Sequence, residues 1–98
     1  MKLKNFQMLR KERSSNGRQA VLDFGNYHLS IIDDGYGSEQ GLYEIGVFAA
    51  TDGVASGLTV LPGITEDGDS VKGNLTEADV DAIILKLYTI TGTEPRQV

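Results

Sequence analysis

One amphipathic helix near the C-terminus constrains the fold more than any other stretch of this sequence. It lies within GNLTEADVDAIILKLYTITG, residues 73–92. Its apolar residues recur every three or four positions, the spacing of a helix with one buried face; they are Val80, Ile83, Ile84, Leu87 and Tyr88. A helix of this length is stable in water only when that face packs on other parts of the protein. The pattern therefore predicts a helix that covers the rest of the chain.

Both ends of the helix carry recognisable signals. Thr76 is a favourable N-cap, and Asp79 stands where a capping box has its acidic partner. Gly92 can adopt the left-handed conformation that ends a helix, and Pro95 prevents the helix from resuming. These signals predict a helix over residues 76–91.

The residues before the helix alternate between apolar and polar, which is typical of strands with one buried face. The clearest segments are RQAVLDF, YHLSII and LYEIGVFAA, and a looser strand is expected from about Gly57 to Leu61. Turn signals separate them at residues 14–17, at 25–26 and at 51–53. Residues 2–12 fit neither periodicity, so a strand is our first interpretation and a short helix the second.

Strands joined by tight turns and followed by one helix indicate an α+β fold. We predict an antiparallel β-meander of three to five strands, covered on one face by a single C-terminal α-helix. Residues 1–98 form a single domain in this interpretation. It includes an acidic loop over residues 62–73 and a mobile tail over residues 93–98.

Charge is unevenly distributed along the chain, whose formal net charge is −5. Residues 1–18 hold six Lys and Arg against one Glu, whereas the remaining residues hold three against thirteen carboxylates. A basic N-terminal segment can contact nucleic-acid phosphates. Alternatively, its side chains face the acidic body of the same protein, and we favour this second interpretation because that body would repel nucleic acid.

The sequence contains neither cysteine nor an apolar run long enough to span a membrane. We therefore expect a cytoplasmic protein without a membrane partner.

Residue types that carry catalysis are few. His28 is the only histidine, and no Gly-x-Ser-x-Gly motif is present to supply a nucleophile. The glycines at 35, 37 and 41 do not fit the dinucleotide-binding spacing, and the acidic clusters lack calcium-loop spacing. We expect no enzyme activity, no cofactor and no metal. Alternation places His28 on the strand face opposite Leu29 and Ile31, and we interpret it as an ordinary surface or edge-strand residue.

The strand face opposite the helix presents apolar residues that one helix cannot cover. They form an exposed patch unless the N-terminal segment covers them or the sheet curls. Exposed apolar patches usually mark interfaces, and the loops at 33–41 and 62–73 add polar candidates. The candidate interface comprises Ile32, Tyr36, Leu42, Phe48, Glu66, Asp67 and Asp69. Its partner would be a second copy of the chain, giving a homodimer, or another protein.

Two stretches together, NYHLSII…GYGSEQGLYEIGVF and DGDSVKGNLTEADVDAIILKL, resemble small uncharacterised proteins encoded by bacteriophages and prophages. The resemblance covers about residues 25–88 and rests on structural motifs. It implies a small cytosolic accessory protein that binds or modulates a host protein. The alternative function is nucleic-acid binding through the basic N-terminal segment.

Overall fold

The structure is a computed structural model that describes residues 1–11 and 16–98. Seven strands and one α-helix account for most of the described residues. In chain order the elements are β1 (Leu9–Arg10), β2 (Arg18–Asp23), β3 (Tyr27–Ile32), β4 (Tyr43–Thr51), β5 (Val54–Leu58), β6 (Val71–Leu75), α1 (Glu77–Thr91) and β7 (Arg96–Gln97). Two short 3₁₀ helices cover Leu3–Asn5 and Ser38–Gln40. The predicted α+β class and the single C-terminal helix are confirmed.

All strand pairs are antiparallel, and the order across the sheet is β1-β2-β3-β4-β5. Two further strands bring the total to seven, beyond the expected three to five. β6 pairs with the first half of β4, and β5 pairs with its second half. In the same way β1 and β7 share the outer side of β2. The sheet is therefore five strands wide, and each of its edges is made of two short strands.

The two faces of the sheet follow from its register. Ala20 pairs with Ile31 and Ile31 with Ile45, so these residues lie on one face. That face and the helix enclose the core, whose largest fully buried side chains are Phe24, Leu22, Leu29, Ile31, Ile45, Ile84, Leu87, Val47 and Val80. Four of the five residues in the predicted helical stripe are buried; Tyr88 is exposed.

Thr76 begins the helix as its sequence signals predict. The Thr76 hydroxyl accepts a hydrogen bond from the Asp79 backbone N–H at 3.1 Å, and the Asp79 carboxylate accepts one from the Thr76 N–H at 2.9 Å. Gly92 ends the helix with φ of 65°, and its N–H donates to the Tyr88 carbonyl. The two hydrogen bonds between Thr76 and Asp79 satisfy two backbone donors that a helix start would otherwise leave unpaired.

The terminal segments differ from expectation. The N-terminal segment contains both a short 3₁₀ helix and a strand, and the turn residues Ser14 and Ser15 lie outside the described residues. The tail expected to be mobile instead forms β7, because its backbone pairs with Leu22 and Asp23 of β2. Pro95, just before β7, is buried.

The acidic loop is shorter than expected, and the strand before it begins earlier. β6 starts at Val71, so residues 71–73 belong to the sheet. β5 starts at Val54, directly after a two-residue turn in which Asp52 and Gly53 have φ of 52° and 81°. Leu61 and Ile64 of the loop are buried in the core, which holds the loop against the helix side of the sheet.

In the described part of the chain, no helix has both the length and the apolar character needed to cross a membrane.

Candidate protein-binding site

Tyr36 is the most exposed large hydrophobic or aromatic side chain in the structure, with 72% of its surface accessible. It lies in the loop between β3 and β4. Its backbone N–H donates to the Glu44 carboxylate at 3.3 Å, and its carbonyl accepts from the Asn74 N–H at 3.0 Å. The loop is thus bonded to β4 on one side and to β6 on the other, while the phenol ring remains in solvent.

Glycines allow this loop to pack closely on the sheet. A Cβ on Gly73 would lie 2.5 Å from the Tyr36 Cβ, closer than two non-bonded carbon atoms can approach. Gly37, with φ of 97°, adopts a conformation that favours glycine, and its carbonyl accepts from the Leu42 N–H. The backbone on both sides of Tyr36 is therefore held by contacts that larger residues would prevent.

The surroundings of Tyr36 are acidic. Residues 33–44 contain four carboxylates and no Lys or Arg; they are Asp33, Asp34, Glu39 and Glu44. The Asp33 carboxylate accepts a hydrogen bond from the Arg18 backbone N–H at 2.7 Å. Asp34 forms an ion pair with Lys11 at 3.0 Å. The loop around Tyr36 therefore has a net negative charge.

Three predicted interface residues lie on the sheet face that points away from the helix, which we name the second sheet face. They are only partly accessible. Ile32, Leu42 and Phe48 are each half-buried. For Phe48 the reason is visible at Gly46, where a Cβ would lie 3.4 Å from Leu58, 3.5 Å from Val71 and 3.8 Å from Phe48. These side chains converge over the glycine, so the second face covers part of itself without a further layer.

The acidic residues of the predicted interface lie on the face of β6 opposite Tyr36. Gly73 faces Tyr36, and successive side chains of a strand point to opposite faces. Lys72 therefore points toward the helix side, where its ammonium lies 3.3 Å from the Glu66 carboxylate. Glu66, Asp67 and Asp69 are exposed there. The structure therefore does not bring Glu66 together with Tyr36, because they lie on opposite faces of β6.

Within the described residues, no group of three or more His, Cys, Asp or Glu converges as metal ligands would.

His28 is buried rather than exposed, and β3 is a central strand rather than an edge strand. Its side chain lies on the second sheet face as predicted, since it pairs with Asp23 and Phe48. Its Nε2 atom lies 3.6 Å from the Asp23 carboxylate and makes no hydrogen bond to any residue that the structure describes. Ser30, a possible nucleophile two residues along, accepts a hydrogen bond from Gln19 at 2.8 Å.

The described part of the basic N-terminal segment is attached to the protein body. Leu3 is buried, and its N–H donates to the Asp81 carboxylate at 2.8 Å. β1 pairs with β2, and Lys11 pairs with Asp34. Among the basic side chains, Lys11 is therefore paired with an acidic residue of the body, whereas Lys2, Lys4, Arg10 and Arg18 are exposed. Glu12 and Arg13 lie outside the described residues.

Sequence reasoning missed one exposed surface, the strand β5. All five of its residues are exposed, although they are uncharged. The available signal was the absence of charge from Gly53 to Thr65, but that absence is equally typical of a buried strand.

No protein-family model, curated protein or solved structure matches the chain.

Proposed function

We propose that this chain is a small non-enzymatic protein-interaction module. In this proposal it is a bacteriophage or prophage accessory protein that binds and modulates a host protein in the host cytoplasm. The phage context rests on the resemblance of residues 25–88. The observation that carries the binding role is the exposed side chain of Tyr36. The backbone N–H and carbonyl of this residue are both hydrogen-bonded to neighbouring strands.

A single exposed aromatic residue is not by itself unusual on a protein surface. Tyr36 differs from an ordinary exposed residue because its loop is hydrogen-bonded to two strands and packs on Gly73. Tyrosine is enriched among the few residues that dominate binding energy. A backbone that is already ordered loses less conformational entropy when a partner binds. Tyr36 therefore has the properties of an anchor that enters a partner's pocket.

The charge around the anchor indicates the chemistry of the partner. Glu39 is exposed in the same loop, and the Asp33 carboxylate accepts a hydrogen bond from a backbone N–H, that of Arg18. A partner with Lys or Arg around an aromatic-binding pocket would be attracted to this loop and oriented by it. We propose that the host protein presents such a basic rim.

The test is affinity capture with three immobilised proteins: the wild type, Tyr36→Ala and Tyr88→Ala. Tyr88 is an exposed tyrosine on α1, away from the loop, so it controls for the loss of an aromatic ring. Nuclease-treated bacterial lysate is passed over each, and the affinity for the captured protein is then measured with purified components. We expect Tyr36→Ala to weaken binding about tenfold or more, and Tyr88→Ala to leave it unchanged.

Capture that is equal for the wild type and Tyr36→Ala would rule out this anchor, and so would the absence of any captured protein. Binding to the wild type should also weaken with added salt, because the proposed partner is basic. A captured protein with an acidic binding surface would contradict the proposed charge complementarity.

A further inference from the structure

Exposed aliphatic side chains concentrate at one edge of the sheet, within residues 54–60, which we name the β5 edge. Val54 is 69% exposed, Leu58 54% and Val60 41%. In the part of the chain that the structure describes, β4 is the only strand that pairs with β5. The outer side of β5 therefore has backbone groups available to another strand.

Sheet edges of soluble proteins are usually protected against pairing by charged side chains, proline or a covering segment. The β5 edge has none of these protections. No Asp, Glu, Lys, Arg or His occurs from Gly53 to Thr65, although 23% of the whole chain is charged. The loop that follows turns away from the edge, because Leu61 and Ile64 are buried in the core.

Charge favours a second copy of this chain as the occupant. A two-fold contact places the same surface of each copy against itself. Over residues 19–98 such a contact would bring like charges together, because they hold three Lys and Arg against thirteen carboxylates. The β5 edge avoids that repulsion, since it is uncharged and its exposed side chains are aliphatic. It is thus suited to bind its own copy.

One protection is present within the strand itself, and it limits how far pairing can extend. The β4–β5 register shifts between Ala49 and Ala50, and Gly57 has φ of 152°. A bulge of this kind bends and twists the edge. Regular pairing across the edge is thereby limited to a short segment, and side-chain contacts must supply much of the affinity. A contact limited to such a short segment belongs to the weak, reversible class of interfaces.

We propose that the β5 edges of two copies bind each other about a two-fold axis and form a reversible homodimer. Each copy contributes its one β5 edge, so the contact closes at two chains. Val54, Leu58 and Val60 of each copy lose exposed apolar surface, and this loss drives association. The hydrogen bonds of the Tyr36 loop go to β4 and β6, and Tyr36 is not one of the residues of the β5 edge.

The test compares two double variants by sedimentation and light scattering over a range of protein concentrations. Val54→Lys/Val60→Lys places two lysines on the β5 edge. Leu85→Lys/Ile90→Lys places two lysines on similarly exposed positions of α1, at 57% and 47% exposure. Both variants change the net charge equally, and both alter exposed residues only. Circular dichroism verifies that each one is folded.

We expect the wild type and the α1 variant to shift with rising concentration from the mass of one chain to that of two. The β5 variant should weaken this association at least about tenfold. Tyr36→Ala should dimerise as the wild type does. The proposal is overturned if the wild type stays monomeric at high micromolar concentration, if its mass grows beyond two chains, or if the folded β5 variant dimerises normally.

Discussion

At the scale of single residues, the stability that Asp79 gives to the start of the helix depends on pH. The hydrogen bond from the Thr76 backbone N–H, with a smaller contribution from the Thr76 hydroxyl, holds the pKa of the Asp79 carboxyl below its ordinary value. A carboxylate with a lowered folded-state pKa stabilises the protein above its unfolded-state pKa. That contribution is lost as the pH falls through the folded-state value.

We therefore expect Asp79→Asn to reduce the free energy of unfolding at neutral pH, and this difference from the wild type to shrink as the pH falls below about 4, the ordinary range of an Asp carboxyl. Urea denaturation at several pH values measures the difference. Glu77→Gln is the control, because it removes a carboxylate from the same turn and leaves the bonds between Thr76 and Asp79 intact. Identical pH dependence for the two variants would contradict the role assigned to Asp79.

At the scale of elements, the helix depends on its inward face. Ile84 is fully buried against the sheet, whereas Leu85, the next residue, projects into solvent. Sequence periodicity predicted this difference, because a residue one position along lies about 100° around the helix. The helix is thus stabilised mainly by packing of one stripe of side chains, and its capping bonds determine where it begins.

We expect Ile84→Asp to abolish cooperative unfolding, because it would bury a carboxylate without a partner. Leu85→Asp makes the same chemical change on the exposed face and should alter the free energy of unfolding by only about 0.5 kcal/mol. Thermal denaturation monitored by circular dichroism distinguishes the two variants. A native-like transition for Ile84→Asp would show that the helix does not pack as described.

At the scale of the whole molecule, residues near the two ends of the described chain close the structure. Leu3 joins the core beside α1, and its N–H is bonded to Asp81. Gln7 and Gln97 exchange hydrogen bonds, although they are 90 positions apart. The N-terminal segment is therefore part of the folded unit, and its Lys11 forms an ion pair with Asp34.

We expect Leu3→Ala to lower the free energy of unfolding by about 3 kcal/mol, because it removes a buried side chain and leaves a cavity. Lys4→Ala, at the exposed neighbouring position, should change it by about 0.5 kcal/mol or less. Chemical denaturation gives both values. An equal, small effect of the two substitutions would indicate that the N-terminal segment does not contribute to the core.

The sequence by itself determined the elements with strong local signals. Periodicity and capping residues placed the helix within one residue of its observed start, and alternation located β2, β3 and most of β4. It also correctly placed His28 on the face opposite the core. These features depend on side chains near one another in the chain, so their pattern is visible without knowledge of distant contacts.

Only the tertiary structure decided the burial of His28, the three short strands and the form of the surface. β1, β6 and β7 have two to five residues each, too few to show a periodicity, and they exist because longer strands offer unpaired edges. The exposure of β5 depends on where the loop after it packs. The display of Tyr36 depends on Gly73, which lies 37 positions away and meets Tyr36 only in the folded protein.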